Sequence, residues 1–373
     1  MTRTLGKAGA PAARAGAAAE PAPRADAAAA RAGDAAARLV LGIETSCDDT
    51  AAAVVRDGRE VVASVVETQS VHAPFNGVVP EIAAREHLRL LPEVVARALE
   101  QSGARLDEIT GVAATFGPGL VGSLLVGLCY AKSLAFARGI PFVAVNHIEA
   151  HLLSIWVERD LPPPFLGAVV SGGHSEIVLV RGLGDYELLG STRDDAAGEA
   201  FDKVAKLLGL GYPGGPAVDR AARGGDPEAF HFPRAGLDEG SFDLSFSGLM
   251  SAVRLAIERL EPAERERRLA DIAASFQEAV ADVLTEKIIA AARARRVTRV
   301  VAAGGVAVNS RLRALLGERA AAEGIELHFP SPRLCTDNAA MVALAGARRL
   351  ARGDRSPLTQ NAVATLEATG FGE

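Results

Sequence analysis

Beyond residue 38, short apolar runs with polar breaks alternate with longer stretches of helical period, the pattern of an α/β chain. The run LVLGI over 39–43 predicts a buried strand, the polar residues 44–50 a turn, and 51–55 a second strand. Arg56-Asp57-Gly58-Arg59 predicts a hairpin into a third strand over 61–66. From residue 80 the 3.6 period takes over, with Ile82, His87, Leu88, Leu91, Val94, Val95 and Leu99 on one stripe. His72 and His87 are single histidines and read as capping or packing residues. A strand over 112–114, the turn Phe116-Gly117-Pro118-Gly119 and a buried helix over 121–137 follow. A Gly-rich turn at a helix start can accept an anion through free backbone N–H groups, although this one lacks the Lys-Ser/Thr of a P-loop.

The second half repeats the rhythm. Leu161-Pro162-Pro163-Pro164 is a stiff break and the expected boundary between a lobe over 39–163 and a lobe over 164–340. Beyond it come a strand over 166–170, the turn Ser171-Gly172-Gly173-His174 and a returning strand over 176–180. Gly172 and Gly173 remove side chains that would block a ligand's approach to the backbone, and Ser171 adds a hydroxyl. Two strand-turn-strand units, one per half, predict a duplicated fold with a ligand between the halves. Asp194, Asp195, Glu199 and Asp202 are expected along one helix start, residues 212–216 as a rigid turn, and Asp219 at the beginning of the next helix. Residues 271–291 predict a long amphipathic helix with Ile272, Phe276, Val280, Val283, Leu284 and Ile288 buried. Then come strand, Gly-Gly turn, a helix capped by Asn309, strand, and Asp337 at the N-terminus of an Ala-rich helix over 341–350.

Composition narrows the picture. With 373 residues, of which 49% are hydrophobic, the chain is large enough for two lobes with substantial cores. Its uninterrupted apolar runs all fall short of a membrane span, which needs roughly 18–20 residues, so no membrane role is expected. A net charge of −6 gives no global attraction to nucleic acid, so RNA binding needs a partner or a local basic patch. The candidates are residues 265–268, 293–299 and 311–313, each also readable as a solvated helix face. Three scattered cysteines without a CxxC pair argue against a disulfide framework and a thiolate zinc site. They favour a reducing, cytoplasmic setting. The stretch 1–38, rich in Ala and Arg, reads as a disordered tail, with a transit peptide as the alternative.

The most pointed chemistry is NHIEAHLLS. His147 and His151, four apart, lie on one face of a helix and can reach a single transition metal, leaving positions open for a third ligand and a substrate. A zincin metalloprotease needs Glu directly after the first histidine, and Ile148 stands there. Glu149 is rotated about 200° from His147 and points away. A kinase or chaperone-like ATPase would use carboxylate-bound Mg²⁺ and has no need of paired histidines.

GIETSCDDT, GVVPEIAAREH, GPGLVGSLLVG, NHIEAHLLS, VSGGHSEIV, DDAAGEAFDKVAKLLGLGYPGGP, SFSGL, AAGGVAVNSRLR and CTDNAAMVA occur in this order. Together, over residues 39–350, they closely resemble the TsaD family of bacterial tRNA threonylcarbamoyladenosine synthesis enzymes, once called O-sialoglycoprotein endopeptidases. The resemblance implies a two-lobed, duplicated ribonuclease-H-like fold shared with sugar kinases, actin and heat-shock ATPases, its N-terminal lobe completed by a C-terminal helix over 341–373. It implies transfer of a threonylcarbamoyl group from threonylcarbamoyl-AMP to the exocyclic amine of the adenosine next to the anticodon, in tRNAs reading codons that begin with A. By motif, His147, His151 and Asp337 become the ligands of one Fe(II) or Zn(II). Val169, Val170, Ser171, Gly172, Gly173, Asp202, Gly215, Asp219 and Asn309 become the donor-binding set. TsaB and TsaE are the implied complex partners and a TsaC-type enzyme the supplier of the donor. The chain departs from the family's FGGVVPE and SFSGLKT at Asn76 and Met250, the latter replacing a lysine.

Overall fold

The computed structural model describes residues 38–366 apart from Asn76 and 235–239. Of the tail expected over 1–38, only Arg38 falls within them, and Asn76 lies outside the described residues. In chain order the strands and helices are β1 (Leu39–Glu44), β2 (Asp49–Arg56), β3 (Glu60–Thr68), α1 (Pro80–Ser102), β4 (Ile109–Gly117), α2 (Val121–Arg138), β5 (Phe142–Asn146) and α3 (His147–Leu153). The chain continues with β6 (Phe165–Val170), β7 (Ser175–Gly182), β8 (Asp185–Ser191), α4 (Ala197–Leu207), α5 (Gly214–Ala221), α6 (Ser247–Glu258), α7 (Pro262–Arg267) and α8 (Leu269–Arg295). Last come β9 (Arg299–Ala303), α9 (Ser310–Ala322), β10 (Glu326–His328), α10 (Pro332–Cys335) and α11 (Ala339–Arg352).

The duplication expected from the two strand-turn-strand units is explicit in the sheets. One runs β3-β2-β1-β4-β5 and the other β8-β7-β6-β9-β10. In each, the first three strands pair antiparallel and the last two add in parallel. The hairpins close on tight turns, the first through Asp57 and Gly58 at φ 51° and 65°. That is the left-handed region demanded by a type I′ turn, closed here by Arg59 N–H on the Arg56 carbonyl.

Apolar residues from both sheets meet in a central core. Val40, Ala113 and Val145 come from one sheet and Val169, Val178 and Val301 from the other. Between them lie Ile148 and Leu152 of α3 and Met341, Leu344 and Ala345 of α11. Helix α11 approaches its sheet so closely that a Cβ on Gly42 would stand 2.6 Å from the Ala339 carbonyl and the Ala343 methyl. Only glycine fits there. On the other side of the first sheet, α1 and α2 cover β1, β4 and β5; α4, α6, α8 and α9 pack on the second.

Several local expectations need correction. Helix α2 is not buried all round, since Val121 is 42% and Phe136 75% exposed. One stripe suffices to cover the sheet. The helix is long and apolar enough by composition to cross a membrane, yet here it packs on β4 and α1. Leu88, placed on the buried stripe of α1, is 69% exposed, while Ala83 and Ala98 take the inner positions. Residues 214–216 are helical, so Asp219 lies near the end of α5 and does not start it. The C-terminal helix stops at Arg352, where Gly353 at φ 100° ends it, as left-handed glycines commonly do. Residues 353–366 then run back along the first sheet, Ser356 bonding the Phe142 carbonyl and Val363 the Phe116 carbonyl.

Candidate metal and donor site

Strand β5 ends on Asn146, whose side-chain oxygen accepts from the backbone N–H of Ile148 (2.8 Å) and Glu149 (3.2 Å). That cap starts α3 immediately, so both histidines project from a two-turn helix wedged between the sheets. His151 is fully buried and His147 only 4% exposed. Asp337, just before the Asn338 cap of α11, completes the cluster: its Oδ1 lies 3.1 Å from His151 Nε2 and 3.5 Å from His147 Nε2. Among the described residues these three ligand atoms form the one group with metal-binding spacing, all within 4.8 Å of one another. Ligand atoms at about 2.0–2.1 Å around a tetrahedral ion stand about 3.3 Å apart. The two N–O separations bracket that value, the spacing a shared ion asks of each imidazole–carboxylate pair.

Glu44, the last residue of β1, is a member the sequence reading missed. It is fully buried. Its Oε1 accepts from Ser46 N–H, and its Oε2 accepts from the Thr115 hydroxyl and lies 3.1 Å from His147 Nδ1. A carboxylate on Nδ1 fixes the tautomer that leaves Nε2 as a ligand. The signal was an acid closing an otherwise apolar strand; it was taken for part of the polar turn.

Burial alone would drive the His147 pKa down, but the Glu44 and Asp337 carboxylates push it up to about 10. Burial would raise the Asp337 carboxyl, yet His147 and the hydrogen bonds from both imidazoles hold it well below the usual range, as close opposite charge does. His151 is lowered, mainly by burial. The raised His147 holds an extra proton that a metal ion would displace on ligation, and the two carboxylates with two neutral imidazoles would then match the charge of one divalent cation.

The Gly-Gly turn sits beside this cluster, the His174 ring centroid 6.4 Å from that of His147. Burial lowers the His174 pKa to about 4. Ser171 N–H bonds the His174 carbonyl at 2.7 Å, and Gly198 N–H the Ser171 carbonyl at 3.2 Å, seating the start of α4 on the turn. Gly198 was also missed: a Cβ there would stand 2.5 Å from the Ser171 oxygen. At Gly172 and Gly173 a Cβ would meet nothing within 4 Å. Val169 and Val170 precede the turn with side chains buried in the core, leaving only their backbone to offer a ligand.

The remaining predicted residues form two further groups. Asp202 accepts from Gly214 N–H (2.7 Å) beside Gly215 at the start of α5, and neighbouring Tyr212 donates its hydroxyl to Asp48 of the β1–β2 turn at 3.4 Å. Asp219 accepts from the Ser310 hydroxyl (2.6 Å), and Asn309 caps α9 while donating to Gln277 (2.8 Å). Of the acids assigned to one helix start, Asp194 instead clasps Ser245, Phe246 N–H and Ser247.

The turn at 116–119 is no anion cradle. Gly119 N–H bonds the Ala364 carbonyl and Leu120 N–H that of Ser46, so those donors are committed. His87 bonds Thr50 (2.8 Å) and the Cys47 carbonyl (2.9 Å), and His72 bonds Gln69, as packing residues. The basic stretches are largely paired: Arg293 with Glu323, Arg295 with Glu187, Arg311 with Glu278, and Arg268 over the Phe230 ring. Met250 packs against the core of the second sheet.

Two sheets of one repeated order place the chain in the actin-like ATPase and sugar-kinase fold class. Solved structures share that fold at low identity. HypF in its phosphate- and nucleotide-bound form has a TM-score of 0.57 at 15% identity, over 85% of this chain and 56% of that one. The Acidaminococcus fermentans (R)-2-hydroxyglutaryl-CoA dehydratase component A gives 0.51 at 17%, over 84% and 99%. A profile of TsaD, tRNA N6-adenosine threonylcarbamoyltransferase, matches residues 60–344. The enzyme of that name from Geobacter sulfurreducens is 56% identical over 325 residues, 87% of this chain and 95% of the relative. That of Clostridium botulinum (strain 657 / Type Ba4) is 49% identical over 330 residues, 88% and 97%. The chain belongs to the TsaD family. It is a transferase that places a threonylcarbamoyl group on N6 of adenosine in tRNA.

Proposed function

We propose that His147, His151 and Asp337 hold one divalent metal, Fe(II) or Zn(II), and that the donor is threonylcarbamoyl-AMP. The observation that carries this is the convergence of two imidazole Nε2 atoms on one Asp337 oxygen in a buried site. The donor lies between a lobe over 39–163, which α11 completes, and a lobe over 164–340. Its nucleotide part is held by the backbone of Val169, Val170, Ser171, Gly172 and Gly173 and by Asp202, Gly215, Asp219 and Asn309.

An exocyclic amine on adenine is a weak nucleophile, so the donor must be made electrophilic. A bound divalent ion supplies Lewis acidity, polarising the donor and favouring departure of the phosphate. The amine nitrogen of the adenosine next to the anticodon forms a bond to the carbamoyl carbon. The bond from that carbon to the phosphate oxygen breaks, AMP leaves, and the amine gives up one proton. At neutral pH that proton passes to solvent or to the phosphate of the departing AMP. His174, neutral at that pH, offers a hydrogen bond beside the turn without adding charge. Glu44 holds His147 in place throughout.

The reading extends to tRNAs for codons that begin with A, to TsaB and TsaE as complex partners, to a TsaC-type enzyme as the source of donor, and to a cytoplasmic setting. It is tested with purified protein, these partners, tRNA, threonine, bicarbonate and ATP, followed by nucleoside mass spectrometry. Wild type forms threonylcarbamoyladenosine and His147→Ala forms none while keeping its fold. Undiminished product from folded His147→Ala overturns the metal reading.

A further inference from the structure

Glu149 stands between the two histidines in sequence but on the opposite side of α3, and it is fully buried. Its Oε1 accepts the Tyr186 hydroxyl of β8 at 2.8 Å. Its other oxygen lies 3.1 Å from Nε of Arg349, a residue of α11 whose side chain is only 11% exposed. One carboxylate therefore joins three pieces of the fold: the helix that carries both imidazoles, an edge strand of the second sheet, and the helix that begins just after Asp337.

The histidines need such an anchor unequally. His147 is held from behind by Glu44, whereas His151 Nδ1 is buried with no hydrogen-bond partner among the described residues. Nothing there fixes the His151 ring through that nitrogen, so its direction comes from the rotation of the helix and from packing, the His147 ring standing edge-on to it at 4.7 Å. Helix α3 has only seven residues, far too few to be rigid by itself. With Cα atoms about 2.3 Å from the axis and an imidazole tip about 7 Å out, a turn of about 10° carries that tip through roughly 1 Å. Metal and catalytic sites tolerate about 0.5 Å. A buried ion pair is also poor evidence of a stability role, since apolar replacement of the whole pair is often neutral.

We infer that Glu149, through Tyr186 and Arg349, is a positioning residue that fixes the rotation of α3 and so aims His151 at Asp337. The inference rests on the metal reading above. Its test is titration of the metal-free full chain with Co(II), read by the visible d–d absorption, with thermal melting in parallel.

Wild type gives an intense low-coordinate spectrum. Replacing both charges (Glu149→Leu with Arg349→Leu) leaves no buried ion of this pair without its partner; the variant melts close to wild type yet binds Co(II) about 10–100-fold more weakly, with weaker bands. Glu149→Gln, which keeps shape and two polar contacts, restores most of the affinity. Tyr186→Phe removes only a hydroxyl and loses affinity several-fold, so it reports even where the double variant does not fold. Wild-type affinity and spectrum in Tyr186→Phe, or in a folded double variant, overturn the inference. Failure of wild type itself to bind Co(II) overturns the metal reading instead.

Discussion

Glu44→Gln removes one charge from a fully buried residue while keeping its shape. The carboxylate now receives Ser46 N–H on one oxygen and the Thr115 hydroxyl on the other, with His147 Nδ1 3.1 Å from that second oxygen. An amide has only one oxygen. If it stays with Ser46 N–H, the NH₂ group faces Thr115 and His147 as a donor. Thr115 can rotate its hydroxyl and accept, but His147 can accept only by moving its proton from Nδ1 to Nε2. That tautomer points N–H at Asp337 and cannot ligate. If the amide is turned the other way, the buried Ser46 N–H loses its acceptor. Either arrangement disfavours the metal-ready state. Loss of such an outer partner costs about 10–100-fold in metal affinity, or about 1.4–2.7 kcal/mol. The assay is competition calorimetry with a chelator of known affinity, alongside the rise in melting temperature on adding Zn(II), which shrinks as affinity falls. An unchanged metal affinity in a folded Glu44→Gln protein refutes the reasoning.

Gly173→Val adds a side chain where a Cβ meets nothing in the protein. The fold is therefore retained while donor binding, followed by calorimetry with threonylcarbamoyl-AMP or AMP, is lost. Unchanged binding places the donor elsewhere. Asn309→Ala removes the acceptor for Arg311 and Leu312 N–H and the donor to Gln277. It costs about 0.5–2 kcal/mol as a lost helix cap, read as a lower melting point, and weakens the donor as well. A fall in stability alone limits Asn309 to capping.

The repeated architecture was legible because both halves write the same code: an apolar strand, a polar or Gly-rich turn, a returning strand. The buried stripe of α8, from Ile272 through Ile288, was equally plain, since a long helix gives its period room to show. The histidine pair was visible as local spacing, and so was the turn of Glu149 away from His147, though not its buried partners. Contacts made across long sequence distances were not. Glu44 meets His147 across 103 positions, and Gly119 spends its N–H on the Ala364 carbonyl. No local pattern reports either pairing. The start of α5 was misjudged because Gly214-Gly215-Pro216 reads as a turn. In the fold Asp202 accepts from Gly214 N–H and carries those residues into a helix, supplying the acceptor a helix start needs. Leu88 was misjudged because period alone does not say which side of a helix finds a sheet.

The central claim is that His147, His151 and Asp337 together hold a metal. Metal content per chain, measured by inductively coupled plasma mass spectrometry on protein purified without chelators, tests it most directly. The account predicts close to one Fe or Zn per wild-type chain and almost none in folded His147→Ala, His151→Ala or Asp337→Ala. Full occupancy in any of the three contradicts it.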